Sequence, residues 1–351
     1  MIIWNRVSGK MNSLQIDISC HGAIKLGKDV TCDGFVDGYK YRVQTHVHVD
    51  HMTYFNKSKG FQTIIMSEPT RSLLELEHYD LQNRENVISL PLDGVHSDSG
   101  LNIELKSSSH MLGAVQVAVT TPSGDRLGYS GDFSWPLEDV IKVESLVVDS
   151  TYGSPDSIRH YSQEDANGFF REIISEKIKS GPIIVKASRG TLHRALELLD
   201  GLVQCPIIAS KKKIGEAKVF EKYGYCICPL MELESPDVRK LRKEGPYIEL
   251  YYIGEQLLYN QGDITIINLT ASWVHGANPF IELSDSSYQI AISDHADFNE
   301  TLEYVRETGA KVVLTDSTRG INASKLAGAI TKKLGISAKP AKPMYSRAWG
   351  I

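Results

Sequence analysis

The sequence predicts an α/β protein, and three observations carry that expectation. Its first third is rich in short alternating or β-branched runs, its middle alternates strand-like with helix-like segments, and turn residues punctuate both. Apolar residues at period two mark strands and those at period 3.6 mark helices, while regular alternation of the two implies a parallel sheet with crossover helices.

In chain order, strands are predicted at 39–45 (YKYRVQT), 62–66 (QTIIM), 101–107 (LNIELKS), 114–121 (AVQVAVTT) and 126–130 (RLGYS). PSGD at 122–125 is turn chemistry, so 114–130 reads as a hairpin. A helix is predicted over 68–79, where apolar residues fall at helical spacing. From LVVDS (146–150) onward strands and helices alternate. Helix 164–180, strand 182–187, helix 191–202, strand 206–209 and a helix near 213–224 follow one another. Segment 229–246, with Pro236 and Pro246, reads as a loop or short helix. Strands at 264–270, 288–293 and 311–316 complete the pattern, with a helix over 298–308.

At 351 residues the chain is long enough for two domains, and 42% hydrophobic with 23% charged residues is ordinary for a globular protein. No apolar run approaches the ~18 residues that span a bilayer, and no signal-peptide pattern opens the chain, so no membrane partner is expected. Five scattered cysteines suit a reducing compartment, and the cytoplasm is expected. Cys226 and Cys228 make a CxC with no second pair, which argues against a structural zinc ribbon. A net charge of −5 does not by itself favour a polyanion. Basic clusters nevertheless occur at Lys211–Lys213, Arg239–Lys243 and along the tail, and bound cations would add positive charge.

The residues with the strongest chemical signal lie at 45–51, THVHVDH. His46, His48, Asp50 and His51 place four donors within six positions, just past a predicted strand. Residues two apart on a strand point the same way, and a loop at its end can fan the rest inward. Imidazole suits zinc and similar divalent ions, and a neighbouring carboxylate favours a second ion. The HExxH of helical zinc proteases is absent. Further donors are available from His110 in SSSHMLGAV and Asp132 in GYSGDF, the latter a candidate carboxylate shared between two cations.

This order, His-x-His-x-Asp-His, an isolated histidine, then Ser-Gly-Asp, resembles the metallo-β-lactamase superfamily of hydrolases. Asp149-Ser150-Thr151-Tyr152 resembles the first signature of the β-CASP nucleases, and Ser293-Asp294-His295-Ala296-Asp297 resembles the second. The resemblance implies a metallo-β-lactamase αββα sandwich built from 1–155 and 285–351, with a β-CASP α/β domain, 156–284, inserted between the halves. It implies that His46, His48 and His110 bind a first metal, that Asp50 and His51 bind a second, and that Asp132 bridges them. Asp149 would orient His295, which would protonate the leaving oxygen or grip the phosphate, so the expected catalytic set is Asp50, Asp132, Asp149 and His295. The implied cofactor is one or two Zn2+ ions, with Mn2+ or Mg2+ also suited to the second site.

Two departures from the family pattern stand out. Where RNA-cleaving members carry a ligand histidine and DNA-directed members a valine, VVLTDSTRG aligns Asp316, or Ser317 with a one-residue shift, and a carboxylate there can complete the second site. Ser188-Arg189-Gly190-Thr191, at a strand-to-helix junction, resembles the S-x-G-K phosphate pocket of Artemis-like exonucleases, with Thr191 in place of lysine. Backbone N–H groups at such a helix start favour an anion. Trp273, beside His275, is a further candidate for stacking on a base. The expected activity is two-metal phosphodiester hydrolysis on nucleic acid. A 5′→3′ DNA exonuclease with added endonuclease action, of the Artemis-like or ligase-associated branch, is favoured, and a β-CASP ribonuclease of RNA 3′-end processing or decay is the alternative. A small-molecule hydrolase is disfavoured by the two β-CASP signatures, and a silent scaffold by the complete ligand set.

Overall fold

Residues 15–257, 264–272 and 277–341 are described by the computed structural model. Six short strands come first: β1 (Ile16–Ile18), β2 (Ile24–Leu26), β3 (Val30–Cys32), β4 (Tyr41–Gln44), β5 (Thr63–Ser67) and β6 (Val87–Leu90). They form one sheet in sequential order, antiparallel from β1 to β3 and parallel from β3 to β6. The parallel crossovers carry helices α1 (Phe55–Phe61) and α2 (Glu68–Glu75). Ser67 caps α2, accepting from the Thr70 N–H at 3.2 Å, with Pro69 in the first turn, so the helix begins where the sequence switches period.

The chain then lays down β7 (Val95–Asp98), β8 (Leu101–Ser107), β9 (Val115–Thr120), β10 (Arg126–Tyr129) and β11 (Ser145–Val148). These belong to a second sheet, in which β7 to β10 form an antiparallel meander and β11 lies parallel to β10. Before that sheet is finished, seven strands form a third one: β12 (Ile183–Ala187), β13 (Ile207–Ala209), β14 (Leu230–Glu232), β15 (Ile248–Tyr252), β16 (Thr265–Leu269), β17 (Phe280–Ser284) and β18 (Ser287–Ile290). All its pairings are parallel except β17 with β18. Helices α3 (Gln163–Lys177), α4 (Arg189–Leu199), α5 (Lys211–Lys222) and α6 (Pro236–Glu244) accompany it. The chain finally returns through α7 (Phe298–Thr308), β19 (Val312–Thr315), α8 (Ala323–Ala329) and β20 (Ser337–Pro340), and β19 pairs in parallel with both β11 and β20.

Packing explains the layers. Val43 and Ile65 of the first sheet and Val115, Val117, Leu127 and Val147 of the second share one solvent-free core. The outer face of the second sheet is covered by Phe298, Leu302 and Val305 of α7 and Leu326 of α8. The outer face of the first is covered by Leu73 and Leu74 of α2, where Phe220 of α5 joins in. Strands covered on both sides need near-continuous apolar runs rather than alternation, which is what β5 and β9 show. The third sheet has its own core, with Ile183, Val185, Ile248, Leu250 and Ile267 against Leu192 and Leu196 of α4.

The molecule is therefore a mixed α/β structure, as the sequence predicts. The stretch read as loop or short helix holds the short helix α6, and the buried strand Ile248–Tyr252, which no sequence signal marked, follows it. The third sheet extends to Ile290, past the expected boundary at 284. Among the described residues no helix is long and apolar enough to cross a membrane.

Candidate metal centre

Strands β10, β11 and β19 run parallel in adjacent register, so their C-terminal ends open on one edge of the second sheet. Asp132, Asp149 and Asp316 leave the sheet there, where ligands bind in open α/β sheets. The turn after β10 depends on Gly131, which has φ +56° and whose Cβ, if present, would sit 2.6 Å from the Val115 carbonyl oxygen. Only glycine adopts that backbone at so close an approach, and the turn aims Asp132 at the rings of His46 and His110.

The loop after β4 is held from beneath by two polar residues on an otherwise apolar strand. Arg42 is fully buried and donates to the carbonyls of His51 (2.9 Å) and Thr53 (2.9 Å). Gln44 accepts from Arg42 and donates to the His46 carbonyl at 2.7 Å. These contacts satisfy backbone acceptors that the tight loop would otherwise bury unpaired.

The imidazoles converge on one point. His48 Nδ1 lies 3.1 Å from His46 Nε2 and 3.1 Å from His110 Nε2. Asp132 Oδ2 stands 3.6 Å from His46 Nε2 and 3.7 Å from His110 Nε2. Tetrahedral ligation at Zn–N distances of ~2.0–2.1 Å places ligand nitrogens ~3.3 Å apart, close to this spacing. The second ring nitrogens of His46 and His110 are committed elsewhere, whereas that of His48 is buried without a hydrogen-bond partner. His110 Nδ1 donates to the Asp294 carbonyl at 2.9 Å. His46 Nδ1 faces Thr45 Oγ1 at 3.0 Å, and that hydroxyl in turn donates to Asp33 Oδ2 at 2.6 Å. Each contact fixes the tautomer that leaves an Nε2 lone pair turned inward.

The inward lone pairs of His46 and His110, with His48 Nδ1 between them, form a converging donor set that favours a cation. Burial and the neighbouring imidazoles keep His46 well below the usual histidine range and His48 down to about 3, so protons do not supply that charge. His46, His48, His110 and Asp132 therefore fit a divalent ion.

The second oxygen of Asp132 turns the other way. Asp132 Oδ1 lies 3.3 Å from His51 Nε2, which is 3.6 Å from Asp50 Oδ2. His51 Nε2 is buried without a hydrogen-bond partner, and the Asp50 side chain remains half exposed. Burial opposes a charge on His51, but Asp132 and Asp33 outweigh it and carry its pKa up to about 10.

Next to these side chains lies His295. Its Nδ1 is 3.2 Å from Asp149 Oδ2, and its Nε2 faces Asp132 Oδ2 at 3.9 Å. Asp149 is itself fixed, because its Oδ1 accepts from both the N–H (2.9 Å) and the hydroxyl (2.8 Å) of Thr151. Arg159 donates to the His295 carbonyl at 2.7 Å, and Asp297 caps α7 in a reciprocal box with Glu300. Burial disfavours the imidazolium, yet the hydrogen bond to Asp149 and the charges of Asp132 and Asp294 hold His295 well above its ordinary pKa. A protonated imidazole thus points its Nε2 at the cluster.

Other expected residues sit differently. Asp316 is buried, but its Oδ1 accepts from the Thr318 N–H at 2.7 Å and its Oδ2 pairs with Arg319 at 2.8 Å, so protein groups occupy both oxygens. The expected phosphate cradle at Ser188–Thr191 is also engaged. Ser188 Oγ meets Thr191 Oγ1 at 2.8 Å, and Thr191 donates to Asp294 Oδ2 at 3.2 Å. A Cβ on Gly190 would lie 2.8 Å from that same Asp294 oxygen, so a carboxylate of the chain itself stands at the start of α4. The side chain of Arg189 is tied into an ion pair with buried Glu216. Trp273 and His275 lie outside the described residues. Asp33 and Asp294 are absent from the sequence expectation: Asp33 sits before a glycine and reads as a turn, while Asp294 lies inside the second signature with no role of its own.

No protein-family model matches the chain. It is 31% identical to an uncharacterised protein in the lig 3′ region of Acidianus ambivalens over 125 residues, 35% of this chain and 89% of the relative. It is 33% identical over 306 residues to the human DNA cross-link repair 1A protein, covering 78% of this chain and 28% of that one. An RNase J-like protein of Methanocaldococcus jannaschii is 21% identical over 266 residues, covering 67% and 61%. The chain thus spans less than two thirds of the length of these last two. Among solved structures, a protein of unknown function from Enterococcus faecalis V583 superposes with a TM-score of 0.60 at 13% identity, over 88% of this chain and 81% of that one, a likeness of fold alone. The chain belongs to one family with the Acidianus protein, and its other relatives, taken with the His/Asp cluster, support membership of the β-CASP/metallo-β-lactamase superfamily.

Proposed function

We propose that the chain is a metal-dependent nuclease with a metallo-β-lactamase sandwich and an inserted β-CASP domain formed around the third sheet. The observation that carries the reading is the convergence of His46, His48, His110 and Asp132 beside an Asp149–His295 pair. In this reading His46, His48, His110 and Asp132 would hold one divalent ion, zinc by donor type, and His51 and Asp50 would share Asp132 in holding a second. Bound ions supply Lewis acidity toward a phosphoryl oxygen and lower the pKa of water toward neutrality. Asp132 keeps the two half-sites at a fixed separation, Asp149 keeps Nδ1 of His295 donating, and Nε2 of His295 delivers its proton to the leaving oxygen.

The favoured substrate is DNA, cut 5′→3′ from an end and also internally, as in the Artemis-like branch. Support comes from the cross-link repair relative, at 33% identity against 21% for the RNase J-like one. The RNA reading, processing or decay by a β-CASP ribonuclease, is supported by the RNase J-like relative. Matched 5′- and 3′-labelled DNA and RNA, with and without a 5′-phosphate, incubated with zinc, manganese or magnesium, decide between them. We expect DNA to shorten from its 5′ end and Asp132→Ala to abolish the reaction. Inertness on every polymer overturns the proposal.

A further inference from the structure

One charged side chain ties the cluster loop to the third-sheet half of the molecule, and it is a residue the sequence reading assigns to phosphate. Arg189 opens α4, and its guanidinium is almost wholly buried. Nη2 pairs with Glu216 Oε1 of α5 at 2.6 Å and with Glu77 Oε1, beyond the end of α2, at 2.9 Å. Nη1 donates to the carbonyl of Val47 at 3.3 Å, the peptide between His46 and His48.

The pair is built rather than incidental. Glu216 is fully buried, and its other oxygen takes the Tyr252 hydroxyl. His193 lies 3.8 Å from it but is neutral near pH 7, because burial holds its pKa down to about 4. His193 also donates through Nδ1 to the Arg189 carbonyl at 2.7 Å and stacks on Phe220 with ring centroids 3.8 Å apart. The positive charge facing Glu216 is therefore that of Arg189, and a buried carboxylate stripped of it is strongly unfavourable. A guanidinium so held cannot swing out to meet a phosphate. The start of α4 is in any case occupied by the Asp294 carboxylate.

We propose that Arg189 is a positioning residue: anchored on Glu216 and Glu77, it holds the Val47 carbonyl through Nη1 and thereby sets the separation of His46 and His48. The inference rests on reading the histidine cluster as a cation site. Orientation of the Val47–His48 peptide sets where the His48 ring emerges, and a loop ordered before binding binds its ligand more tightly than one ordered by it. Lysine keeps the charge beside Glu216 but, as a compact point charge, does not bridge two carboxylates and a carbonyl at once.

The test uses cobalt(II) as the probe ion with the full chain. Arg189→Lys is expected to lower cobalt affinity roughly ten- to hundred-fold, the size typical of lost support behind a ligand. It should also shift the visible absorption of bound cobalt, and in the metal-free protein speed hydrogen exchange of the amides at 46–51. A paired Arg189→Gln, Glu216→Gln variant, which leaves no buried charge stranded, should show the same loss with the fold retained. Unchanged cobalt affinity and unchanged exchange in both variants overturn the proposal. So does intact cobalt binding with a raised KM confined to 5′-phosphorylated oligonucleotides, which would make Arg189 a phosphate contact. Wild-type protein that takes up no cobalt defeats the reading of the cluster, and the exchange measurement then decides the role of Arg189 by itself.

Discussion

Asp33 Oδ2 lies 2.7 Å from His51 Nδ1, and neither side chain has any contact with solvent. The same carboxylate accepts from the Thr45 N–H at 2.8 Å through its other oxygen, and Thr45 in turn faces His46. One buried aspartate therefore orients an imidazole in each half of the cluster.

Asp33→Asn should keep the shape of the site and remove its charge. Cation affinity of the half-site at His51 is expected to fall about ten- to hundred-fold, with a smaller loss at the site of His46. Isothermal titration of the metal-free protein with zinc and manganese resolves the two. Equal affinities in variant and wild type would show that Asp33 only packs.

His295→Ala should leave metal content per chain unchanged while turnover drops about 10²- to 10⁴-fold, the usual worth of a general acid. Asp149→Asn, which weakens the hold on Nδ1, should fall in the same direction by less. Elemental analysis beside single-turnover rates separates the two effects, and loss of bound metal from His295→Ala would contradict the assigned role.

Gly131→Ala meets both an unfavourable φ and the Val115 carbonyl. The cost is expected at about 1–3 kcal/mol, seen as a lower urea midpoint. Because Asp132 follows directly, cation affinity should fall with it, whereas Gly124→Ala, at a turn where no heavy atom crowds the position, should spare the cluster.

His193 supplies a pH dependence whose sign is fixed. Its pKa is about 4 when folded, against about 6.5 when unfolded. Between those values the unfolded chain binds a proton that the folded one refuses, so stability is lost as pH falls through the window. The full loss is about 3 kcal/mol. Urea unfolding of the metal-free protein at pH 7 and pH 4.5 should show most of it, and His193→Gln should reduce the difference, leaving the share of His46 and His48.

Much of this was legible from residue order. Strand Leu101–Ser107 and helix Phe298–Thr308 coincide with their predicted bounds, because period and caps agree there. THVHVDH, His110, SGD and the two later signatures stand out because donors of one chemistry cluster at strand ends. Arg42, Gln44 and Asp33 were not legible as support, since their partners are backbone carbonyls and rings that meet only in the folded state. Ile248–Tyr252 escaped because Glu249 sits mid-strand, and its pairing with Arg242 of α6 is a tertiary fact. Asp294 illustrates the converse: it lies inside a recognised signature, yet its contact with Thr191 comes from a helix far away in sequence.

The third sheet interrupts the second between β11 and β19, two strands that lie side by side. During synthesis the first of these waits, edge uncovered, until the whole intervening stretch has left the ribosome, and such distant parallel pairing is intrinsically slow. His295 emerges only on that return leg. A nascent chain therefore carries the His46–His51 loop long before it has His295, and the pair that His295 makes with Asp149 forms only once the intervening sheet has been made.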